Sequence, residues 1–181
     1  MGPVRHRSGC HHSLPAGKHP MIKLQSLRQH LLNAVPELKR NPEQLHTFVN
    51  DGKVKFARGT NLSHQYTVDA QIVITDYSGS LDTVMIPLLQ WLNTYQPDLV
   101  IDEAVTLEAE ILSNTHWDLA LTVQLTERVV AKVDCQTGRI NADHRMPEYP
   151  ADACPANHWQ LYIKGPHRDA YELKAEWSSH G

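Results

Sequence analysis

Apolar side chains recur at intervals of three and four from Ile22 to Val35, with Leu24, Leu27, Leu31 and Val35 on one face and Arg28, Gln29 and Asn33 between them. This is the spacing of an amphipathic helix, and Pro36 ends it. Asn41 and Pro42 then offer an N-cap and a first-turn proline. With Leu45, Phe48 and Val49 as a short apolar stripe and Asn50-Asp51-Gly52 as a stop, they predict a second, shorter helix. From there the period becomes two. Val54 and Phe56 alternate with Lys53, Lys55 and Arg58. After Gly59-Thr60-Asn61, Tyr66, Val68, Ala70, Ile72 and Ile74 fall on one face and Gln65, Thr67, Asp69, Gln71 and Thr75 on the other. The pattern predicts a hairpin with one wet face; its dry face needs a cover, commonly helical.

Asp76 to Ser80 breaks the strand, and Ser80 stands as N-cap for a helix over Leu81 to Tyr95, where Leu81, Val84, Met85, Leu88, Leu92 and Tyr95 form the covering stripe. Pro87 inside it deletes a backbone hydrogen bond, so the helix either bends there or begins later. Gln96-Pro97-Asp98 ends it. Strand alternation returns at Val105, Leu107, Ala109 and Ile111 and, after Ser113 to His116, at Trp117, Leu119, Leu121, Val123 and Leu125. Val129, Ala131 and Val133 carry it to a turn at Asp134 to Gly138, with Ile140 opening a short return strand. Residues 141–157 hold Pro147, Pro150 and Pro155 and almost no branched aliphatics, which reads as an extended linker. Trp159, Leu161 and Ile163 alternate beyond it, and Tyr171, Leu173 and Trp177 follow in a polar tail too short to pack alone.

These elements give an α+β class: an antiparallel or mixed sheet of about five to six strands covered by two to three helices. The chain divides into residues 1–20, a leader; 21–140, the α+β domain; and 141–181, a Pro-rich C-terminal arm. The leader has almost no apolar side chains and is expected to be disordered or a non-native extension, with Met21 as an alternative start of translation. It lacks the continuous apolar core, roughly seven to fifteen residues, of a secretory signal.

The length of 181 residues favours one domain that needs no covalent staples. No run reaches the roughly 18 apolar residues that a membrane-spanning helix requires, so no membrane partner is expected. A net charge of −3 argues against a polybasic nucleic-acid or lipid surface spread over the whole chain. Cys10, Cys135 and Cys154 are odd in number and widely spaced, as reduced cytosolic thiols would be.

Candidate chemistry is sparse. His6, Cys10, His11 and His12 could seize a soft metal, but a structural zinc site wants two paired ligand clusters, and Cys135 and Cys154 have no close partner; no metal and no cofactor are expected. The other histidines, His30, His46, His64, His116, His144, His158 and His167, read as solvated surface. Asp69, Glu108, Glu110 and Asp118 occupy the wet phase of their strands, where a carboxylate does no special chemistry. Ser78-Gly79-Ser80 lies between a strand and a helix like a nucleophile elbow but lacks its flanking glycines, and a turn with an N-cap explains it. No catalytic residue is assigned and no enzyme is expected. Lys53, Lys55 and Arg58 beside Phe56 form a small basic edge, but Phe56 shares the phase of Val54 and is expected to be buried rather than stacked on a base.

Three stretches carry a family likeness: SLRQHLL with NPEQLHTFV, then VITDYSGSLDTVMIPLLQWLNTYQPD, and later LALTVQLTERVVAKVD with a final LYIKG. From Met21 onward the chain resembles the tail completion protein R family of P2-like contractile-tailed phages. The resemblance implies a structural protein of virion assembly that caps or completes the head-proximal end of the tail and permits head–tail joining. It also implies a fold like that of phage tail-terminator and neck proteins, which work as rings, commonly hexameric. Its implied partners are further copies of itself, the tail tube and neck or connector proteins, and its implied place is the host cytoplasm during assembly and then the virion. Whether a ring lumen touches DNA is left open. Ring contacts are heterologous and need two unlike surfaces. The candidate interface is Trp159, Leu161, Tyr162, Ile163 and Lys164, a strand that either adds to a neighbour's sheet or completes its own. The competing reading is a small cytosolic enzyme or nucleic-acid-binding domain without a recognisable site.

Overall fold

The computed structural model describes residues 21–59, 61–100, 102, 104–113, 115–146, 156–165 and 170–178. Helix α1 runs over Ile22–Ala34, and the short α2 over Pro36–Arg40 takes Pro36 as its first residue, where a missing N–H costs nothing. A 3-10 turn, Pro42–Gln44, leads into strand β1, Leu45–Phe56; then come β2 (His64–Tyr77), α3 (Leu81–Tyr95), β3 (Val105–Ile111), β4 (Trp117–Asp134), β5 (Arg139–Arg145), β6 (His158–Lys164) and β7 (Tyr171–Ser178).

The main sheet has the order β1-β2-β4-β3, with β5 also on β4, and all its pairings are antiparallel. Strand β2 occupies one edge of β4 from Trp117 to Val129, so β3, opposite 117–123, and β5, opposite 128–134, lie end to end along its other edge. Leu119, Leu121, Val123 and Leu125 of β4 and Val68, Ala70, Ile72 and Ile74 of β2 share one buried face. Leu27 and Leu31 of α1 and Val84, Leu88, Trp91 and Leu92 of α3 cover that face. The expected two-layer arrangement is present, with α1 sharing the cover with α3.

The helix expected over residues 41–49 is instead strand. Leu45, Thr47 and Val49 pair with Ile74, Ile72 and Ala70, so the period-two subset of the segment, not its period-three subset, points at the core side. A segment with only three apolar residues cannot sustain a helix alone, and pairing with an exposed strand edge decides its state. The register shifts between Val49 and Asp51, a bulge at Asn50 that turns the strand phase over. Beyond it Gly52, Val54 and Phe56 lie on the same face that Leu45 and Val49 held before it.

Helix α3 is continuous through a buried Pro87, which excludes the later start. Ser80 sits at its N-cap, where its carbonyl accepts from Thr83 N at 3.0 Å while its side chain makes no cap bond. The return strand anticipated at Ile140 is β5, so residues 139–145 belong to the sheet, not to a linker. Pro147, Pro150 and Pro155 lie outside the described residues, as do the leader, with its cysteine and histidines, and His167.

Among the described residues, strands β6 and β7 pair only with each other, in a second sheet. The tail read as too short to pack alone packs as half of this hairpin: Ala175 and Trp177 close over Ala34, joined by Trp159 and Leu161. The Trp177 indole N–H donates to Gln90 Oε1 at 2.9 Å, tying the hairpin to α3. The hairpin therefore rests on α1 at Ala34 and on α3 at Gln90.

Candidate assembly surfaces

The buried face of β4 contains one residue of the wrong chemistry. Glu127 follows Leu119, Leu121, Val123 and Leu125 in phase and is 0% exposed. One carboxylate oxygen accepts from the backbone N–H of Lys23 at 2.9 Å; the other accepts from His144 Nδ1 across the β4–β5 pair. Lys23 is the second residue of α1, whose N-cap Met21 offers no side-chain acceptor, so a carboxylate from a strand satisfies an orphan donor at the positive end of the helix. The Lys23 ammonium donates to Tyr95 O at 2.8 Å, joining the start of α1 to the end of α3. Burial holds its pKa below the ordinary lysine value, opposed by the charges of Glu127 and Asp98. The signal was present in the sequence, since an acid in the apolar phase of a strand must find partners.

Next to it, β4 has an open stretch between β3 and β5. Gln96, buried just after α3, fills the role of the missing strand there. Its Oε1 accepts from Thr126 N and from Thr126 Oγ1, each at 3.1 Å, and its Nε2 donates to Thr126 O at 3.3 Å. A cleft of about 730 Å³ opens beside this gap, lined among others by Lys23, Asp98, Arg128, His144 and Arg145. Of these residues, Lys23 is tied to Tyr95 O and Glu127, and His144 to Glu127.

The carboxylates and serines weighed above are not brought into one site. Asp118 accepts from the backbone N–H of Asp76 at 2.8 Å, where Asp76 takes a left-handed φ of 54°. Ser78 N and Ser78 Oγ each donate to Glu37 at 3.1 Å, which fastens α2 to the β2–α3 turn. The Tyr77 hydroxyl donates to Ser80 O at 3.1 Å; burial and the nearby Glu37 charge push its pKa up, so it stays a donor. A Cβ on Gly79 would lie 2.5 Å from that hydroxyl, which explains the glycine. Among the described residues no three of His, Cys, Asp and Glu come close enough together to hold a metal ion. Two of the histidines read as surface are half-buried ties: His144 on Glu127, and His30, whose Nε2 lies 3.1 Å from Pro87 O.

Several large apolar side chains are exposed at the margins of the main sheet. Phe56, expected to be buried, is 69% exposed, because helical cover ends before the far half of β1; Val49 and Val54 beside it are open too. Lys53 and Lys55 project to the opposite face, opposite Thr67 and Gln65, so aromatic and base do not combine into a nucleic-acid stacking groove. At the other edge Ile111 is 79% exposed, and Leu107 and Leu112 are open as well. Of the candidate interface, Trp159 and Leu161 turn inward onto the helices, Ile163 is half-buried, and Tyr162 and Lys164 face outward.

The domain thus combines an interior tied by buried polar contacts with apolar side chains left open at its sheet margins. The model of the P2 phage tail completion protein R (GpR) family matches residues 21–149. The chain belongs to this family. It is 31% identical over 163 residues to the tail completion protein R of Escherichia phage P2, a match spanning 87% of this chain and 99% of that protein. No solved structure matches the chain. The family places the chain in tail completion as a structural component of the phage, and the fold is of the α+β class expected. The matched residues contain α1 to α3 and all five strands of the main sheet, so the Glu127 network and both apolar edges lie within the family domain.

Proposed function

We propose that this protein completes the head-proximal end of a contractile phage tail, assembling there as a ring of identical subunits that makes the tail competent to join a filled head. The observation that carries this is the match over residues 21–149 together with the likeness to nearly the whole length of a protein named for tail completion. The two uncovered sheet margins support it, since a ring subunit needs two unlike sticky surfaces. Its partners are other copies of the chain, the end of the tail tube and a neck or connector protein. It acts in the host cytoplasm during assembly and stays in the virion at the tail's upper end, and it performs no catalysis. The portion from 21 to 145, which includes all five strands of the main sheet, is the ring-forming body. The outward residues Tyr162 and Lys164 on the β6–β7 hairpin serve as a docking face for the neck or tube.

Deletion of the gene from its phage or prophage, followed by electron microscopy of the lysate, tests the proposal. Filled heads beside unjoined tails with irregular upper ends are expected. Normal joined particles would overturn it.

A further inference from the structure

We infer that the face of the main sheet turned away from the helices is a two-fold contact between copies of the chain, the basic half of each sheet lying on the acidic half of the other. This contact is separate from the ring contact proposed above and does not rest on it. The registers fix which side chains share the face. None of Gln65, Thr67, Asp69 and Gln71 of β2 or of Thr122, Gln124, Thr126 and Arg128 of β4 is buried, so no described element covers it. Along the strands its charges separate. Level with residues 118–124 of β4 stand Asp118 itself, Glu108 and Glu110 of β3, Asp69 of β2 and, opposite Asp69, Asp51 of β1, with no lysine or arginine on the face there. Level with residues 126–134 stand Lys53 and Lys55 of β1, Arg128 and Lys132 of β4, and Arg139 and Arg145 of β5. Lys55, Gln65, Arg128 and Arg145 form one row straight across four strands. The acids of this half are already engaged: Asp143 pairs with Arg145 at 3.0 Å, and Asp134 accepts from Thr137 Oγ1 at 2.6 Å. A chain of net charge −3 thus gathers acids at one end of a single face and bases at the other.

The division selects the partner. Duplex DNA or any other polyanion would be held by one half of the face and repelled by the other. A second copy satisfies both. Rotation by a half-turn about an axis lying in the face and running across the strands turns the second sheet over and reverses its strand direction, which sets acid over base at both ends. Strands β1, β2 and β4 then lie over their own counterparts, while β3 and β5, end to end on β4, exchange places. The end of one sheet that holds Arg139 and Arg145 comes over the end of the other that holds Glu108 and Glu110. Phe48, 44% exposed and opposite Gln71, lies on the same face and leaves water in the contact. The face is large enough. Strand β4 has 18 residues at about 3.3 Å each, and up to four strands stand abreast at about 4.8 Å, which offers on the order of 1,000 Å² against about 800 Å² per partner in a stable complex.

The test uses the full chain and light scattering over a range of concentrations. A two-fold contact closes at two copies, so breaking it should halve the mass of the assembly whatever its size. One variant, Lys55→Glu with Arg128→Glu and Lys132→Glu, makes the face predominantly acidic; another, Asp69→Lys with Glu108→Lys and Glu110→Lys, makes it predominantly basic. Each alone should need about a tenfold higher concentration to form the contact, and an equimolar mixture should recover it as a mixed pair, seen with a fluorescent label on one partner. The unaltered chain gives a second reading, which decides the matter if a variant does not fold: about 0.5 M salt should weaken the contact about tenfold relative to about 0.05 M. A mass unchanged by salt and by both reversals would overturn this contact and leave the ring reading standing. If the mass is unchanged while the starting protein binds a duplex oligonucleotide and the acidic variant does not, the contact is overturned and the basic half belongs to nucleic acid. A chain that stays monomeric at every concentration, with variants that stay apart when mixed, would overturn it as well.

Discussion

In β2 and β4 apolar residues alternate with polar ones, and Ile72 and Leu121, opposite each other, are fully buried under α1 and α3. In β1 and β3 the same alternation places Phe56 and Ile111 on the same side of the same sheet, yet both are open to solvent. The difference is how far the cover reaches along the strands: Leu45 at the start of β1 is buried and Val105 at the start of β3 packs against the core, but the helices do not extend over the far ends that carry Phe56 and Ile111. Burial is thus a property of a strand's place in the sheet as much as of its side chains. An alternating strand at an edge is a surface with a use, and one at the centre is a foundation.

Substitutions can break this contrast in order of size. Leu121→Ala at the sealed centre should cost about 3 to 5 kcal/mol, read as a large drop in the midpoint of urea or thermal unfolding. Glu127→Ala should cost about 2 to 3 kcal/mol, because it strips the Lys23 N–H and His144 of a shared acceptor; Glu127→Gln, which keeps one acceptor oxygen, should cost less. Gly79→Ala should cost about 1 to 2 kcal/mol, since the new methyl must displace the buried Tyr77 ring, and a measured loss of only a few tenths would show that the ring moves freely. At the margin, Ile111→Ser should change unfolding by no more than about 0.5 kcal/mol while weakening self-association seen by light scattering. A large stability loss there would mean that the edge is covered within the monomer.

The smallest effect is one of pH. Burial holds the His30 pKa below 6.5, with the contact to Pro87 O opposing the shift. The unfolded chain therefore takes up this proton before the folded one does. The stability His30 contributes is complete above pH 6.5 and is lost as pH falls through its lower folded value. His30→Gln, which keeps a donor toward Pro87 O, should flatten that acid limb of the stability–pH curve.

Much of the architecture is legible in the chain. The period of 3.6 in α1 and α3 and the period of two in β2 and β4 each mark a face that must be covered, because local alternation and burial coincide at the middle of a sheet. The errors fall where they do not coincide. Residues 45–49 fit a helical or a strand pattern equally, and pairing with β2 chose the strand; the bulge at Asn50 then hid the continuity of its face behind a change of phase. Phe56 was placed by its phase alone, which says which side it is on but not whether anything lies over it. The alternation of Trp159 and Leu161 marks them as apolar positions, but that they turn inward depends on β7, which among the described residues pairs with β6.

By itself the sequence determined the helices α1 and α3, the central strands with their wet and dry faces, and the family, since these depend on side-chain order along the chain. Tertiary structure alone decided that Glu127 caps a helix 104 residues away, that Gln96 stands in for a strand, and that the wet face of the main sheet has an acidic end and a basic end. Those facts depend on which distant segments the fold brings side by side. Hydrophobic periodicity carries no information about that, because it records which side of a strand is dry and not what stands next to it.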